Sequence, residues 1–136
     1  MEILETVGIM FFKDGKLLIN KPRLRPTYQI VGGHVENGET PYQAIVRECY
    51  EELGDKAIFN PEKIEFVMDF IEKNTAFPDK EIHMHLFIYK GNLQGELTTS
   101  EEIEDFKWFS LYDDKSILSD ALIEEIIPYA VYHGYM

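Results

Sequence analysis

The sequence has one cysteine, few basic residues and no long apolar run. Cys49 stands alone, which excludes an intrachain disulfide and fits a reducing cytoplasm. Lysine and arginine number 13 against 25 aspartates and glutamates, and a net charge of −12 disfavours long DNA or RNA as a partner. No stretch approaches the roughly 18 apolar residues of a membrane span, and the acidic N-terminus is unlike a secretory signal. We therefore expect a cytoplasmic protein without a membrane or nucleic-acid partner.

The chain does contain enough apolar material for a sizeable core. Its 136 residues are 45% hydrophobic and 13% aromatic, and a domain of this length buries roughly 68% of its unfolded surface. These values exclude a disordered chain and a small disulfide-stapled scaffold. Because no repeat and no linker-like stretch interrupts the sequence, it predicts a single domain over residues 1–136, present as a monomer or a homodimer.

Strand and helix signals alternate along the chain. Strands are predicted at 3–12, 17–19, 28–31, 64–71 and 82–89, with a hairpin at Asp14 and Gly15 and turns at 73–75 and 78–80. Residues 21–26 are expected to form an exposed basic loop, because Pro22 and Pro26 disfavour regular structure. A loop at 91–99, a short apolar piece at 106–109 and a helix at about 117–130, interrupted by Pro128, complete the pattern. The combination predicts an α/β sandwich with a central mixed β-sheet covered by helices.

The clearest element is a helix from Thr40 to Leu53. Thr40 suits the N-cap, Pro41 the first helical position and Gln43 the capping box, while Gly54 ends the helix. Helical spacing predicts one buried apolar stripe, formed by Tyr42, Ile45, Val46, Cys49, Tyr50 and Leu53.

Three glutamates lie on adjoining faces of this helix. At about 100° per residue, Glu48 and Glu52 project together beside the stripe, and Glu51 lies further toward solvent. Carboxylates three and four residues apart repel one another, and a divalent cation removes that repulsion. Mg²⁺ prefers one or two carboxylates together with water and phosphate oxygens. The spacing therefore favours a metal site for phosphate chemistry, although a run of glutamates is also typical of a solvated helix face.

The residues around the helix decide between these two interpretations. Fixed residues recur at set spacings between residues 33 and 54, namely Gly33, Glu39, Arg47, Glu48, Glu51, Glu52 and Gly54. At about 5–10% per residue type, a chance match at a given start is roughly one in 10⁸. The pattern resembles the Nudix box, the signature of hydrolases that act on nucleoside diphosphates linked to another moiety. Asp55 departs from it at a normally aliphatic position, and Val31 replaces the proline that often precedes the paired glycines.

The resemblance implies a Nudix-type α/β/α sandwich and a metal site on the helix. Glu48, Glu51 and Glu52 would together bind Mg²⁺, or Mn²⁺ in its place, and one of the three would act as base on the attacking water. The family differs in which glutamate is the base, so the role is assigned to the three jointly. The resemblance also suggests a further acidic ligand from a distal loop, for which Glu102 is the candidate and Glu101 the alternative.

The other box positions have supporting roles by the same resemblance. Arg47 would orient a glutamate through charge-assisted hydrogen bonds, and Glu39 would steady the loop before the helix. The backbone at Gly32 and Gly33 would come close to metal or phosphate.

Basic and histidine residues outside the box are candidates for substrate contacts. Arg23 and Arg25, together with Lys21, precede the glycine-containing strand and could reach phosphates, although a solvated surface loop explains them equally well. His34 follows the glycines and could touch substrate. His83 and His85 alternate along one strand and therefore point the same way, a pattern more often structural than ligand-binding.

The resemblance implies a metal-dependent pyrophosphohydrolase that cleaves a phosphoanhydride bond in a small nucleotide. The short chain favours a (deoxy)nucleoside triphosphate, as in MutT-like enzymes that cleanse the nucleotide pool. ADP-ribose, a dinucleotide or a nucleotide sugar is the alternative substrate. A nucleotide sensor without turnover is the alternative of a different class, and the intact box glutamates argue against it.

Overall fold

The structure, a computed structural model, describes residues 2–72 and 78–136. Within these residues the chain forms a seven-stranded mixed sheet from β1 (Glu2–Met10), β2 (Phe12–Lys13), β3 (Lys16–Pro22), β4 (Gln29–His34), β6 (Ile64–Glu72), β7 (Lys80–Tyr89) and β9 (Ile103–Phe109). The order is β2-β3-β4-β1-β7-β6, with β9 paired to β3. β1 and β7 are parallel and the other pairs are antiparallel. A separate two-stranded sheet joins β5 (Ala57–Ile58) to β8 (Gln94–Gly95).

The predicted hairpin joins β2 to β3 and is confirmed. Asp14 and Gly15 form its two-residue loop, with φ values of 52° and 74°. Positive φ at both loop residues is the geometry that matches the right-handed twist of paired strands. The strands predicted at 64–71 and 82–89 are confirmed within one or two residues as β6 and β7. The turn predicted at 73–75 lies outside the described residues.

Two loop predictions were wrong in part. Lys21 and Pro22 belong to β3 rather than to a loop, and the pairing with β9 changes register between them. A proline lacks an N–H and is tolerated where the ladder is irregular, which explains how the strand continues into it. The segment 91–99 was predicted as loop throughout, yet two of its residues form β8.

Helix α1 (Pro41–Glu52) begins and ends where the sequence predicted. Thr40 accepts a hydrogen bond from Gln43 N at 3.1 Å, and Gln43 Oε1 accepts one from Thr40 N at 3.0 Å. Gly54 follows the helix with φ of +88°, a conformation that a side chain disfavours. The capping box and Gly54 therefore set the start and the end of this helix through interactions between residues close in sequence.

The buried stripe of α1 is narrower than the sequence predicted. Ile45, Cys49 and Leu53 are fully buried, but Tyr42 and Tyr50 are exposed, the latter by 61%. Each tyrosine has a polar end that can stay in water while its ring packs at the edge. The Tyr50 ring lies against Phe59, outside the layer between helix and sheet.

Helix α2 (Ile127–Tyr132) continues from a π-helical turn at Leu122–Ile126. Pro128 lies in the first turn of α2, where the wider π turn accommodates a residue without an N–H. The predicted interruption is therefore a change of helical pitch. In the described residues, no helix is long and apolar enough to cross a membrane.

The sheet has an apolar layer on each face. On one face α1 packs through Ile45 and Cys49 against a cluster that includes Val31 and Phe87. On the other face Ile126 and its neighbours pack on a second cluster, which includes Met10, Leu17, Leu86 and Phe109. The predicted helix–sheet–helix sandwich with a mixed central sheet is confirmed. This packing holds the acidic end of α1 over β3 and β4.

Candidate active site

The paired glycines of β4 make room for two neighbours. A Cβ on Gly32 would overlap the backbone oxygen of Val7 in β1, and a Cβ on Gly33 would overlap the Glu48 carboxylate. Gly32 therefore excludes any side chain on steric grounds, whereas a side chain at Gly33 would displace the Glu48 carboxylate. The consequence is that a carboxylate from α1 lies directly against the backbone of β4.

Glu52 is a buried acid at the end of α1, with 6% of its surface exposed. Asn20 Nδ2 in β3 donates to its Oε1 at 2.8 Å, and the backbone N–H of Gly32 donates to its Oε2 at 3.0 Å. Two adjacent strands thus engage the two carboxylate oxygens. This contact explains why Glu52, which lies beside the stripe in sequence, points into the protein.

Half-buried Glu48 and buried Glu52 form an acidic pair. Burial raises the pKa of Glu52 well above its usual range, and a hydrogen bond to Glu48 raises it further, while the donors from Asn20 and Gly32 act in the opposite direction. Burial also raises the pKa of Glu48, and its contacts with Glu52 and Arg47 oppose that rise. Two carboxylates held together away from water favour sharing either a proton or a cation.

Arg47 connects the loop before α1 to the helix. Its Nε and Nη2 donate to Glu39 at 2.7 and 3.0 Å, and Nη2 also donates to the His34 carbonyl at 2.9 Å. Its Nη1 donates to Glu48 at 3.0 Å and to Glu51 at 3.1 Å. Such bidentate, charge-assisted contacts are geometrically specific. Arg47 therefore orients Glu48 while it ties the 34–39 loop to the helix.

Glu51 differs from the other two helix glutamates. Its side chain is 53% exposed and reaches Arg47. Across the described ranges, no group of three or more His, Cys, Asp or Glu side chains stands ready as a metal site. Mg²⁺ is bound by one or two carboxylates with water and phosphate oxygens, and the pair formed by Glu48 and Glu52 supplies that number. The donor set thus fits Mg²⁺ or Mn²⁺.

A cavity of about 450 Å³ opens beside this pair. Its polar end is formed by Asn20, Gly32, Gly33, His34 and Glu52. Apolar walls come from Leu4, Ile30, Ile82 and Met84, and charged side chains from Arg25, Glu72 and Lys80. The volume and the mixed lining are typical of small-molecule sites. A molecule in this cavity would lie between the acidic pair and the outer charged groups.

Some of the residues predicted to contact substrate line the cavity, and others do not. Arg25 and His34 line the cavity. Arg23 instead donates to the carbonyls of Glu101 at 2.9 Å and Ser100 at 3.1 Å, and it lies 3.6 Å from Glu104. Its charge is therefore directed to the 100–104 segment.

The described contacts of the distal acids and of the strand histidines are with residues other than the acidic pair. Glu102 is exposed, and its carbonyl accepts a hydrogen bond from Arg23 N at 2.7 Å. Among the described contacts, neither Glu101 nor Glu102 reaches the helix glutamates. His83 and His85 do share a strand face, but their ring nitrogens meet the carboxylates of Glu5, Asp69 and Glu81 rather than the cavity.

Sequence reasoning missed Asn20 and Glu72. Asn20 is fully buried and contacts Glu52, and Glu72 lines the cavity, where burial raises its pKa. A signal for Asn20 existed, because it is a polar residue directly after the apolar run Leu17 to Ile19. Glu72 follows an ordinary amphipathic strand and carries no comparable signal.

Comparison with known proteins identifies the family. A model of the NUDIX domain matches residues 3–121. The NAD-capped RNA hydrolase NudC of Pseudomonas aeruginosa is 35% identical over 100 residues, which cover 72% of this chain and 32% of NudC. The nucleoside triphosphatase NudI of Escherichia fergusonii is 38% identical over 91 residues, 63% of each chain. The solution structure of the E. coli ORF135 protein has a TM-score of 0.72 at 25% identity and covers 98% of this chain and 92% of that one.

The chain belongs to the NUDIX family. It spans about a third of the length of the NudC relatives that it matches. The two curated relatives are named as a hydrolase of NAD-capped RNA and as a nucleoside triphosphatase, and enzymes of this family generally need a divalent metal.

Proposed function

We propose that this protein is a metal-dependent pyrophosphohydrolase that cleaves a phosphoanhydride bond in a small nucleotide. The observation that carries the proposal is the acidic pair at the end of α1: half-buried Glu48 lies against Gly33, and buried Glu52 lines a cavity large enough for a nucleoside. Arg47 brings a positive charge to Glu48, whereas the described hydrogen bonds of the buried Glu52 carboxylate come from the neutral donors Asn20 and Gly32, and a buried carboxylate without a counter-charge is costly. The position of the acidic pair beside a cavity is explained by a divalent cation arriving with a phosphorylated substrate.

The chain's own residues would divide the work as follows. Glu48 and Glu52 would hold Mg²⁺ or Mn²⁺, with Glu51 at the solvent side of the site. Arg47 holds Glu48 in place. One of the three glutamates would take the proton of the water that attacks phosphorus. When bound, the metal supplies neutralisation of charge on the phosphate oxygens.

The substrate we propose is a (deoxy)nucleoside triphosphate. The similarity to a nucleoside triphosphatase over 63% of the chain supports it. The cavity also suits a nucleoside, because apolar walls can cover a base while Arg25 and His34 face the polar parts. Glu102 remains the proposed further metal ligand from the distal loop. Arg23 remains a proposed contact to a substrate phosphate.

A dinucleotide or another nucleoside diphosphate derivative is the second candidate. The 35% identity to NudC, named as acting on NAD-capped RNA, favours it. The net charge of −12 argues against a long RNA body on the surface of this chain.

A hydrolysis panel, in which substrates and products are separated by chromatography, tests the proposal and distinguishes the substrates. Nucleoside triphosphates, ADP-ribose, NAD⁺, dinucleoside polyphosphates and sugar nucleotides are each incubated with Mg²⁺ or with EDTA. We expect Mg²⁺-dependent turnover of a triphosphate, and a loss of at least about 100-fold in kcat for Glu52→Gln. Glu62→Gln, an exposed acid far from the cavity, is the matched control. Binding of a panel member without any turnover would identify a sensor instead.

A further inference from the structure

Asn20 is a polar residue where the fold favours an apolar one. It ends the run Leu17 to Ile19 in β3, and none of its surface is exposed. Its backbone is paired on both sides, with Gln29 of β4 and Phe106 of β9. A buried amide is unfavourable unless all its groups are hydrogen-bonded. Strand pairing alone therefore does not account for an asparagine at this position.

The side chain of Asn20 is only half satisfied within the described protein. Nδ2 donates to Glu52 Oε1 at 2.8 Å, whereas Oδ1 is buried without a hydrogen-bond partner. The amide orientation follows from its neighbour, because turning it around would set Oδ1 against a carboxylate oxygen. In this arrangement Asn20 Oδ1 lacks a hydrogen bond, while Asn20 Nδ2 donates one to Glu52.

The donor is neutral, and this distinguishes it from the other contacts of the acidic pair. Arg47 brings a full positive charge to Glu48 and Glu51. Asn20 and the Gly32 N–H hold the two oxygens of Glu52 without cancelling the negative charge of the carboxylate. Neutral donors fix the direction of a carboxylate and favour its ionised form, while leaving it able to attract a cation.

We propose that Asn20 is a positioning residue that holds the Glu52 carboxylate in the orientation needed to share a divalent cation with Glu48. The inference rests on the proposed function, because it assigns the acidic pair to metal binding. Asn20 lies outside the Nudix box and acts through Glu52. Asn20 also lines the adjoining cavity.

Metal binding without nucleotide tests the proposal separately from catalysis. Mn²⁺ affinity is measured by electron paramagnetic resonance for the wild type, Asn20→Leu and Asn20→Ala. Loss of a residue that supports a metal ligand weakens metal affinity by about 10- to 100-fold, and we expect at least the lower figure for both variants. Ser119→Ala is the control, because Ser119 is another buried polar residue and its hydroxyl instead caps Leu122 N.

A double-mutant cycle shows whether Asn20 acts through Glu52. In the Glu52→Gln background, Asn20→Leu is expected to change Mn²⁺ affinity by less than about 2-fold, because the residue it positions is gone. Urea unfolding in EDTA establishes that each variant is folded. A purely structural role would weaken binding in both backgrounds by a similar factor, and that result overturns the proposal.

The remaining outcomes separate this inference from the proposed function. Wild-type protein that binds Mn²⁺ while both Asn20 variants bind it equally well overturns the role of Asn20 and leaves the hydrolase proposal standing. Wild-type protein that binds no Mn²⁺ at millimolar concentration overturns the metal site, and with it both proposals. Weakened binding that depends on Glu52 supports the inference.

Discussion

At the scale of single residues, the site is built at a cost to stability. Glu52 is buried with another carboxylate, Glu48, and both pKa values are raised by burial. A group whose pKa is higher in the folded protein stabilises the fold below its unfolded pKa and loses that contribution as pH rises through the folded value. The metal-free fold is therefore penalised by this pair at neutral pH.

We predict that Glu52→Gln stabilises the metal-free protein increasingly as pH rises from about 4.5, the ordinary value for glutamate. The glutamine carries no charge, and its Nε2 can donate to Asn20 Oδ1, which has no partner. Urea unfolding in EDTA at several pH values, for variant and wild type, gives the difference in free energy of unfolding.

Other acids make the free energy of unfolding change with pH in the opposite direction, and subtracting the wild-type value from that of Glu52→Gln cancels their effect. The pKa values of Glu39 and Glu104 are lowered by Arg47 and Lys21, so their contributions are lost only as pH falls below the ordinary range. A difference between variant and wild type that does not change with pH would contradict the prediction.

At the scale of elements, α1 is the part of the fold that carries most of the site. Its start is set by the Thr40 capping box, and its end by Leu53 and Gly54. These local signals place Glu48 and Glu52 one turn apart, and packing on the sheet turns them toward β4. Gly33 of β4 matters equally, because a Cβ at this position would overlap the Glu48 carboxylate.

We predict that Thr40→Ala lowers the free energy of unfolding by about 1 kcal/mol, the usual cost of losing an N-cap. The variant keeps every metal and cavity residue, so Mn²⁺ affinity should stay within about 2-fold of wild type in conditions where it is folded. Thr99→Ala, at an exposed position outside the helices and strands, is the control. The urea midpoint should fall with an unchanged slope, and a loss equal to that of the control would refute the role of the cap.

At the scale of the whole molecule, the protein has a net negative charge, and the substrate proposed for it is also an anion. The net charge of −12 repels phosphates at long range. Against this background Arg25 and Lys80 line the cavity, whereas Lys21 and Arg23 lie against Glu104. Under the proposed function, a cation that enters with the substrate would reduce the repulsion between the phosphates and the helix glutamates.

We predict that Mg²⁺ and Mn²⁺ raise the melting temperature, because they bind the folded state. At a free metal concentration 100 times the Kd, the stabilisation is about 2.7 kcal/mol. Sodium chloride at matched ionic strength is the control, since simple screening also relieves self-repulsion. Glu52→Gln should show a much smaller shift than wild type, and equal shifts in the two proteins would place the bound metal elsewhere.

The sequence by itself determined what depends on near neighbours. The Thr40 cap, the Gly54 stop, the hairpin at Asp14 and Gly15 and the spacing of the helix glutamates all follow from rules that span a few residues, and the structure confirms these elements. The seven box positions were enough to indicate the family and the sandwich fold. The predicted roles of the box residues remain predictions, for which the observed contacts supply the geometry.

The tertiary structure alone decided which residues meet across the sheet. Asn20 and Glu52 are 32 positions apart, and Arg23, for which the sequence left a phosphate contact and a solvated surface loop both open, contacts residues 100–104. The exposure of Tyr42 and Tyr50 likewise depends on how far the sheet extends beneath α1. Such contacts arise from strand order and helix packing, which no local pattern specifies, because the free energy of burial belongs to surfaces that come together only when the chain is folded.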